Sequence, residues 1–487
     1  MTSVISGIQS DQSIRVRQIL WGTAVTVWLV LLPSLLPDRC CDRGVFVSVA
    51  ERLLAGDKLY KTVFDNKDPF FYYLIAFQRW AGGSGEFIFE VITLVLTSLS
   101  AYVIVLSTSH RTIAILVGVL ATPVILTGAF YVPGFTHLPG SFLCLAVLAL
   151  ATSGLYGWSG AAIGALFFTK IIMAPVALCS VLAFLWMSSR FAKVKKLVIG
   201  IAAALLVGLV VIYERDELNG FLDVLYANVL YSQGSLIRGD STVQKVASHI
   251  SRVLNVNAIV TLVVTCGCLL TAWLRSDQRS KPLALAATAA FCSSLVVLAV
   301  TGLWHHHNQI LYVPAVLSFA AFAVTSLPVS AVSAVAAATL FAWLLGGARP
   351  PSSYVEAISQ FPVKWAILNE VPLETAAMTA GSRPSTYARL GQNDDPGHAI
   401  GLGSWKLACP RFYQFPFDPG DTFERVLSCV GTVETVLVAA SFTSLQGLER
   451  WNNWNSFVQH AEEILRAKFV CKHYGGIRVC NRVGTGG

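Results

Sequence analysis

Charge is what this chain has little of. Asp, Glu, Lys and Arg make up 13% of its 487 residues, while 55% are hydrophobic. Ordinary soluble domains carry about 25% charged residues, so a soluble globular enzyme is excluded. Strands of about ten residues with alternating polarity are also lacking, which excludes a transmembrane β-barrel. No repeat of fixed period and no low-complexity tract occurs. Inverted or repeated halves and midplane ionisable residues, the marks of a transporter or lipid flippase, are not found. A small-residue cleavage site is missing after the first apolar run, residues 19–36, where Asp38-Arg39-Cys40-Cys41 follows instead. That run reads as a retained span preceded by Arg15 and Arg17, with the N-terminus in the cytoplasm.

What is present is a succession of apolar windows of about 17 to 22 residues, each able to cross a hydrocarbon core roughly 30 Å thick. After the first, they fall at about 88–107, 112–129, 141–156, 197–213, 258–274, 283–303, 310–326 and 330–345. Residues 159–189 pose a parity problem. As one helix they would export the basic run Arg190 to Lys196, against the positive-inside bias. Two shorter helices breaking near Lys170 and Pro175 return it to the cytoplasm, and proline disfavours helix continuity before it. The expectation is an all-α polytopic membrane protein of eleven spans. Its net charge of +8 lies in short loops, which suits positive-inside bias and not a nucleic-acid partner.

Eleven spans place residues 346–487 outside the plasma membrane. This tail has ordinary soluble polarity, and about 140 residues suffice for one small domain with its own core. We expect an extracytoplasmic α+β domain beside a membrane module of residues 1–345. The tail's Cys409, Cys429, Cys471 and Cys480 are even in number, as an oxidising compartment favours. Four cysteines allow three pairings, and at least one disulfide is expected. Cysteines inside spans, Cys266-x-Cys268 included, read as small buried apolar residues.

Three loops fall on the outer face: residues 38–87, 131–140 and 214–257. The first holds six acids between Asp38 and Tyr73. Within it Val45, Phe46, Val49, Ala50, Leu53 and Leu54 recur at helical spacing, and Gly56 is a natural stop. This describes a short interfacial helix. Asp42 just before it is an N-cap, a base held at the bilayer surface, or both.

The string "CDRGVFVSVAERLLAGDKLYKTVFDNKDPFFYYL" resembles the first external loop of GT-C-type integral-membrane glycosyltransferases. It is similar in particular to bacterial relatives of protein O-mannosyltransferase and of lipid A aminoarabinose transferase. Their pattern is an acid, Gly and an aromatic, then Ala-x-x-Leu-x-x-Gly-x-x-Tyr, then Asp-x-Lys-x-Pro. Here these are Asp42, Gly44, Phe46, Ala50, Leu53, Gly56, Leu59-Tyr60, Asp65, Lys67 and Pro69. One departure is Asp68, where the family often has proline. It either marks a different acceptor or pairs with Lys67. "GALFFTKIIMAPVAL", with Lys170, and "LWHHHNQILYVP", with His305 to His307, are weaker matches, as is "GFLDVLYANVLYSQG".

The resemblance covers about residues 15–345 and implies a GT-C-like fold. It implies transfer of a hexose or pentose, with inversion, from a polyprenyl-phosphate donor to a glycan, lipid or protein hydroxyl on the outer face. An acceptor needs a positioned base and a leaving phosphate needs positive charge. Asp42 suits the first role; Lys170, Arg238 and His306 suit the second. Asp65, Lys67, Asp68, Tyr60 and His137 then bind substrate or organise the loop. No resident metal is expected, although His137 and Asp65 are of the type that could serve a divalent cation. Plainer roles compete: a snorkelling Lys170, a loop ion pair between Asp65 and Lys67, an interfacial histidine cap. The competing functions are a lipid or lipid-linked sugar transporter, and an oligosaccharide ligase.

Overall fold

The computed structural model describes residues 21–29, 31–35, 42–65, 67–82, 85–127, 136–236, 256–275, 277–278, 280–300 and 309–325. In the tail it describes 381, 385–391, 406–409, 414, 420–439, 442, 452–474 and 477–484. After a helical stretch over 21–29 come α1 (Asp42–Leu54), α2 (Pro69–Trp80), α3 (Gly85–Leu106) and α4 (Arg111–Leu126). Next are α5 (His137–Thr152), α6 (Tyr156–Thr169), α7 (Ala174–Met187), α8 (Val194–Glu214) and α9 (Leu218–Leu236). The series continues with α10 (Val256–Arg275), α11 (Lys281–Val300) and α12 (Tyr312–Ala323). The tail adds β1 (Thr386–Leu390), β2 (Lys406–Leu407), α13 (Gly420–Val430), β3 (Thr435–Val438), α14 (Asn452–Lys468), β4 (Phe469–Tyr474) and β5 (Ile477–Arg482).

Among the described residues, three stretches are helical, long and apolar enough to cross a membrane: Phe87–Leu106, Phe191–Glu214 and Lys281–Val300. Five further apolar helices among the described residues are shorter. The expected span over 330–345 lies outside the described residues. Contacts divide the chain into two units. One comprises Met1–Pro37, Phe87–Gly208 and Asp240–Ser359; the other comprises Asp38–Glu86, Leu209–Gly239 and Gln360–Gly487.

In the first unit α7 packs on α11, α11 on α12, α10 on α12, and α5 on α6. Alanine, valine and leucine from these helices fill a continuous core. Small residues let α6 and α8 approach closely. A Cβ at Gly160 would overlap the carbonyl oxygen of Leu197, and one at Gly200 would overlap that of Gly157. A Cβ at Gly164 would stand 2.6 Å from that of Ala204. Small residues spaced by four are how lipid-embedded helices gain van der Waals contact without a hydrophobic drive between them. The expected break is present: α6 stops at Thr169, Lys170 leaves the helical region (φ −159°, ψ 77°), and Pro175 lies in the first turn of α7. A proline there forfeits no helical hydrogen bond.

In the second unit α1 ends at Leu54, and Gly56 adopts φ +97° while Asp57 N–H returns to Arg52 O at 2.9 Å. That is the glycine stop read from the sequence. The helix begins at Asp42 itself. Two helices were not foreseen. Asp68-Pro69 starts α2, with Asp68 at the N-cap (φ −66°, ψ 145°) and Pro69 in the first turn. Residues 218–236 of the expected outer loop form α9, whose Phe221 and Val224 are buried while Leu222 and Tyr226 are exposed.

The tail forms an α+β fold with strand order β2-β1-β3-β5-β4. β1 is parallel to β2 and β3; β3, β5 and β4 are antiparallel. Ala388, Leu390, Val436 and Val438 share a core with Phe423, Trp454 and Phe457 of α13 and α14. The rings of Phe423 and Phe457 stack at 4.4 Å. All four tail cysteines are paired, Cys409 with Cys429 and Cys471 with Cys480. The second pair joins directly opposed residues of β4 and β5.

Candidate active site

The loop between α1 and α2 draws its acids inward. Asp65 is 1% exposed and accepts a hydrogen bond from the Tyr72 hydroxyl. Asp68 is also buried at the start of α2. Lys67 sits with its Nζ 5.8 Å above the ring of Phe46, one helical turn along α1 from Asp42. The Phe46 ring meets Phe71 edge-on at 5.0 Å, so α1, α2 and Lys67 are joined through one aromatic side chain. A cation over an aromatic face is attracted by the ring's quadrupole.

Tyr60 is the hinge of the loop. It adopts φ +64°, uncommon for a bulky residue. Three contacts hold it there: its N–H donates to Val63 O at 2.6 Å, its hydroxyl donates to Lys67 O at 2.6 Å, and Gly220 of α9 packs against it. Any side chain at 220 would overlap Tyr60. Burial pushes the Tyr60 phenol up, and the neighbouring charges of Asp68, Asp65 and Glu217 push it further. It therefore stays a neutral donor, which fixes the Lys67 carbonyl.

Glu217 escaped the sequence reading. Its side chain is fully buried in the turn between α8 and α9. Oε1 accepts the Leu59 N–H at 3.0 Å and the Arg215 Nε–H at 3.2 Å, and Oε2 accepts the Tyr73 hydroxyl. The Arg215 guanidinium lies 4.6 Å from the centre of the Tyr73 ring. Burial pushes the Glu217 carboxyl up to about 7, against the opposing pull of the Leu59 N–H and the Lys58 charge. Beside it Asp216, at φ +60°, pairs with Lys58 at 3.3 Å and with Lys61. These two lysines hold the exposed Asp216 carboxyl below the usual range. The turn 215–217 thus grips the backbone and lysines of residues 58–61. In the sequence Glu217 is one of three acids within residues 214–217, and nothing local sets it apart from Glu214 and Asp216.

Two other expected residues belong to the first unit. His137 begins α5 and Lys170 follows α6; both are buried. α5 and α6 are joined by three residues and pack together, so the start of one and the end of the other share an end of the unit. A Cβ at Gly140, one turn after His137, would come within 3.2 Å of the Lys170 Cβ. The structure thus brings Tyr60, Asp65, Lys67 and Asp68 together in one unit, and His137 and Lys170 together in the other. Asp42 starts α1. Arg238 and His305 to His307 lie outside the described residues. No group of three metal-ligating side chains occurs among the described residues.

No family model matches the chain, and no curated protein matches it. Among solved structures it is similar to the oligosaccharyltransferase of Archaeoglobus fulgidus in complex with Zn and sulfate, at 16% identity and a TM-score of 0.46 over 86% of this chain and 68% of that one. The same enzyme tethered through a disulfide to an acceptor peptide containing the NVT sequon gives 12% and 0.44, over 92% and 72%. The Archaeoglobus fulgidus AglB complex with an inhibitory peptide and a dolichol-phosphate gives 11% and 0.43, over 96% and 74%.

Proposed function

We propose that the protein is a glycosyltransferase of the plasma membrane. It moves a sugar, with inversion, from a polyprenyl-phosphate donor to an acceptor hydroxyl at the outer face. The observation that carries this reading is the first external loop. Its GT-C-like residues Tyr60, Asp65 and Asp68 are buried and, with the half-buried Lys67, form a hydrogen-bonded cluster against the helix that Asp42 begins. Such a loop presents the first turn of α1 on a rigid support, which a positioned base requires. Asp42 is the base in this reading. Lys170, with Arg238 and His306, neutralises the phosphate that leaves; a buried lysine acts there as a point charge and an arginine grips two oxygens. His137 and the loop residues orient donor and acceptor. The reading takes eleven spans, a membrane module of residues 1–345, and an extracytoplasmic domain of residues 346–487, whose two disulfides suit an oxidising compartment.

The test is sugar transfer from a radiolabelled polyprenyl-phosphate sugar by purified protein in detergent. We expect transfer by the unaltered chain, and loss of donor use on Lys170→Met. Absence of transfer from every polyprenyl-phosphate sugar accumulating in a deletion strain would reject the reading.

A further inference from the structure

The turn before α8 gathers cations and exposed aromatic rings with no acid near them in sequence. Arg190, Lys193, Lys195 and Lys196 lie within seven residues, and no Asp or Glu occurs between Glu90 and Glu214. All four cations are exposed. Trp186, 67% exposed at the end of α7, meets the exposed ring of Phe191 edge-on at 5.6 Å. Arg190 Nη1 donates to the Tyr156 hydroxyl at 3.4 Å, which brings the start of α6 beside the turn. Two residues further on, Trp158 is 70% exposed. From Lys195 an exposed stripe runs up α8 through Ile199, Ala202 and Leu206 at helical spacing. The stripe's eleven residues of rise span about 16 Å, close to one leaflet of a hydrocarbon core roughly 30 Å thick.

We propose that this surface binds an anionic phospholipid of the membrane. The headgroup phosphate rests on Arg190, Lys193, Lys195 and Lys196. Trp158, Trp186 and Phe191 lie at headgroup level, where amphipathic rings partition. An acyl chain follows Ile199, Ala202 and Leu206. Basic clusters directly beside a membrane helix attract anionic lipid through the charge of the leaflet and the fork geometry of arginine. The apolar stripe supplies what a cluster in a soluble loop lacks, a path for the chain attached to that headgroup. The proposal does not depend on the glycosyl-transfer reading, because it needs only the membrane helix Phe191–Glu214.

The experiment is native mass spectrometry of the detergent-purified full chain with equimolar phosphatidylglycerol and phosphatidylcholine of identical acyl chains. We expect the unaltered protein to retain phosphatidylglycerol by about tenfold or more over phosphatidylcholine. The preference should fall as KCl is raised. The variant R190Q/K193Q/K195Q/K196Q should retain both lipids equally, while the tail variant R466Q/K468Q keeps the preference. Equal retention by the unaltered protein, a preference insensitive to salt, or an undiminished preference in the fourfold variant would overturn the proposal. Lipid indifference together with salt-sensitive binding of a polyglutamate peptide would assign the surface to an acidic protein instead. The salt series uses the unaltered chain, so the outcome does not hang on whether the fourfold variant folds.

Discussion

Two turns flank α8, and they hold their charge in opposite ways. The turn after it, residues 215–217, buries Glu217 against Leu59, Tyr73 and Arg215. The turn before it leaves Arg190, Lys193, Lys195 and Lys196 exposed. A buried carboxylate must be matched atom by atom, because each unmet donor or acceptor costs free energy. An exposed cation needs no partner and acts through summed charge, which salt screens. The first turn should therefore be sensitive to single substitutions, and the second should respond only to several together.

The largest effect is expected for Glu217→Ala. It strands the buried Leu59 N–H and the part-buried Tyr73 hydroxyl, and a buried group left unmet costs about 1–3 kcal/mol; the exposed Arg215 guanidinium turns to water instead. The α1–α2 loop should open, read as faster hydrogen exchange at Leu59 and faster proteolysis between Gly56 and Asp68. Exchange as slow as in the unaltered protein would remove Glu217 from its role as the grip on that loop.

A smaller and graded effect follows from pH. Burial moves the Glu217 carboxyl from 4.5 to about 7, so the folded state favours its protonated form. Its contribution is full below about pH 4.5 and is lost as pH rises through about 7. A shift of this size is worth up to about 3 kcal/mol. Between pH 5.5 and 8, Leu59 exchange should rise beyond its intrinsic pH dependence. Glu217→Gln should flatten that excess. An excess that persists in the Gln variant would assign the pH response to another group.

The smallest effects belong to exposed charges in either turn. Asp216→Asn removes the pairs with Lys58 and Lys61, yet asparagine tolerates the φ of +60° found there. Exposed pairs are typically worth about 0–1 kcal/mol, so the midpoint of denaturation should barely move and moderate salt should erase the difference. Lys193→Gln alone should be equally mild. A loss comparable to that of Glu217→Ala would break the contrast between the turns.

The sequence made part of this legible, and physical reasons separate the parts. The stop at Gly56 and the break between Lys170 and Pro175 are local events, written in a glycine free to take positive φ and a proline confined to a helix's first turn. The even cysteine count gave the presence of tail disulfides, but the pairing depends on strand register, which sets Cys471 opposite Cys480. The start of α2 is written in Asp68-Pro69, an N-cap followed by a first-turn proline, so the departure at Asp68 from the GT-C-like pattern coincides with a helix start. Glu217 was out of reach. Its backbone partner, Leu59, is 158 residues away, and nothing in either segment alone announces the other. α9 lies in a stretch whose polar residues interrupt the apolar run, and only its buried face, with Phe221 and Val224, marks it as a packed helix.

The central claim is that Asp42, at the start of α1, is the base of a glycosyl transfer. Asp42→Asn keeps nearly the same volume at the first residue of α1 and removes only the basicity of the carboxylate. The variant should fold and express normally. Positioned acid–base groups contribute about 10²- to 10⁴-fold, so transfer from radiolabelled polyprenyl-phosphate sugar should be nearly abolished, while Asp38→Asn, four residues earlier, loses much less. An Asp42→Asn protein that keeps more than about a tenth of the unaltered rate, against that range, would contradict the claim and leave Asp42 as no more than the first residue of α1.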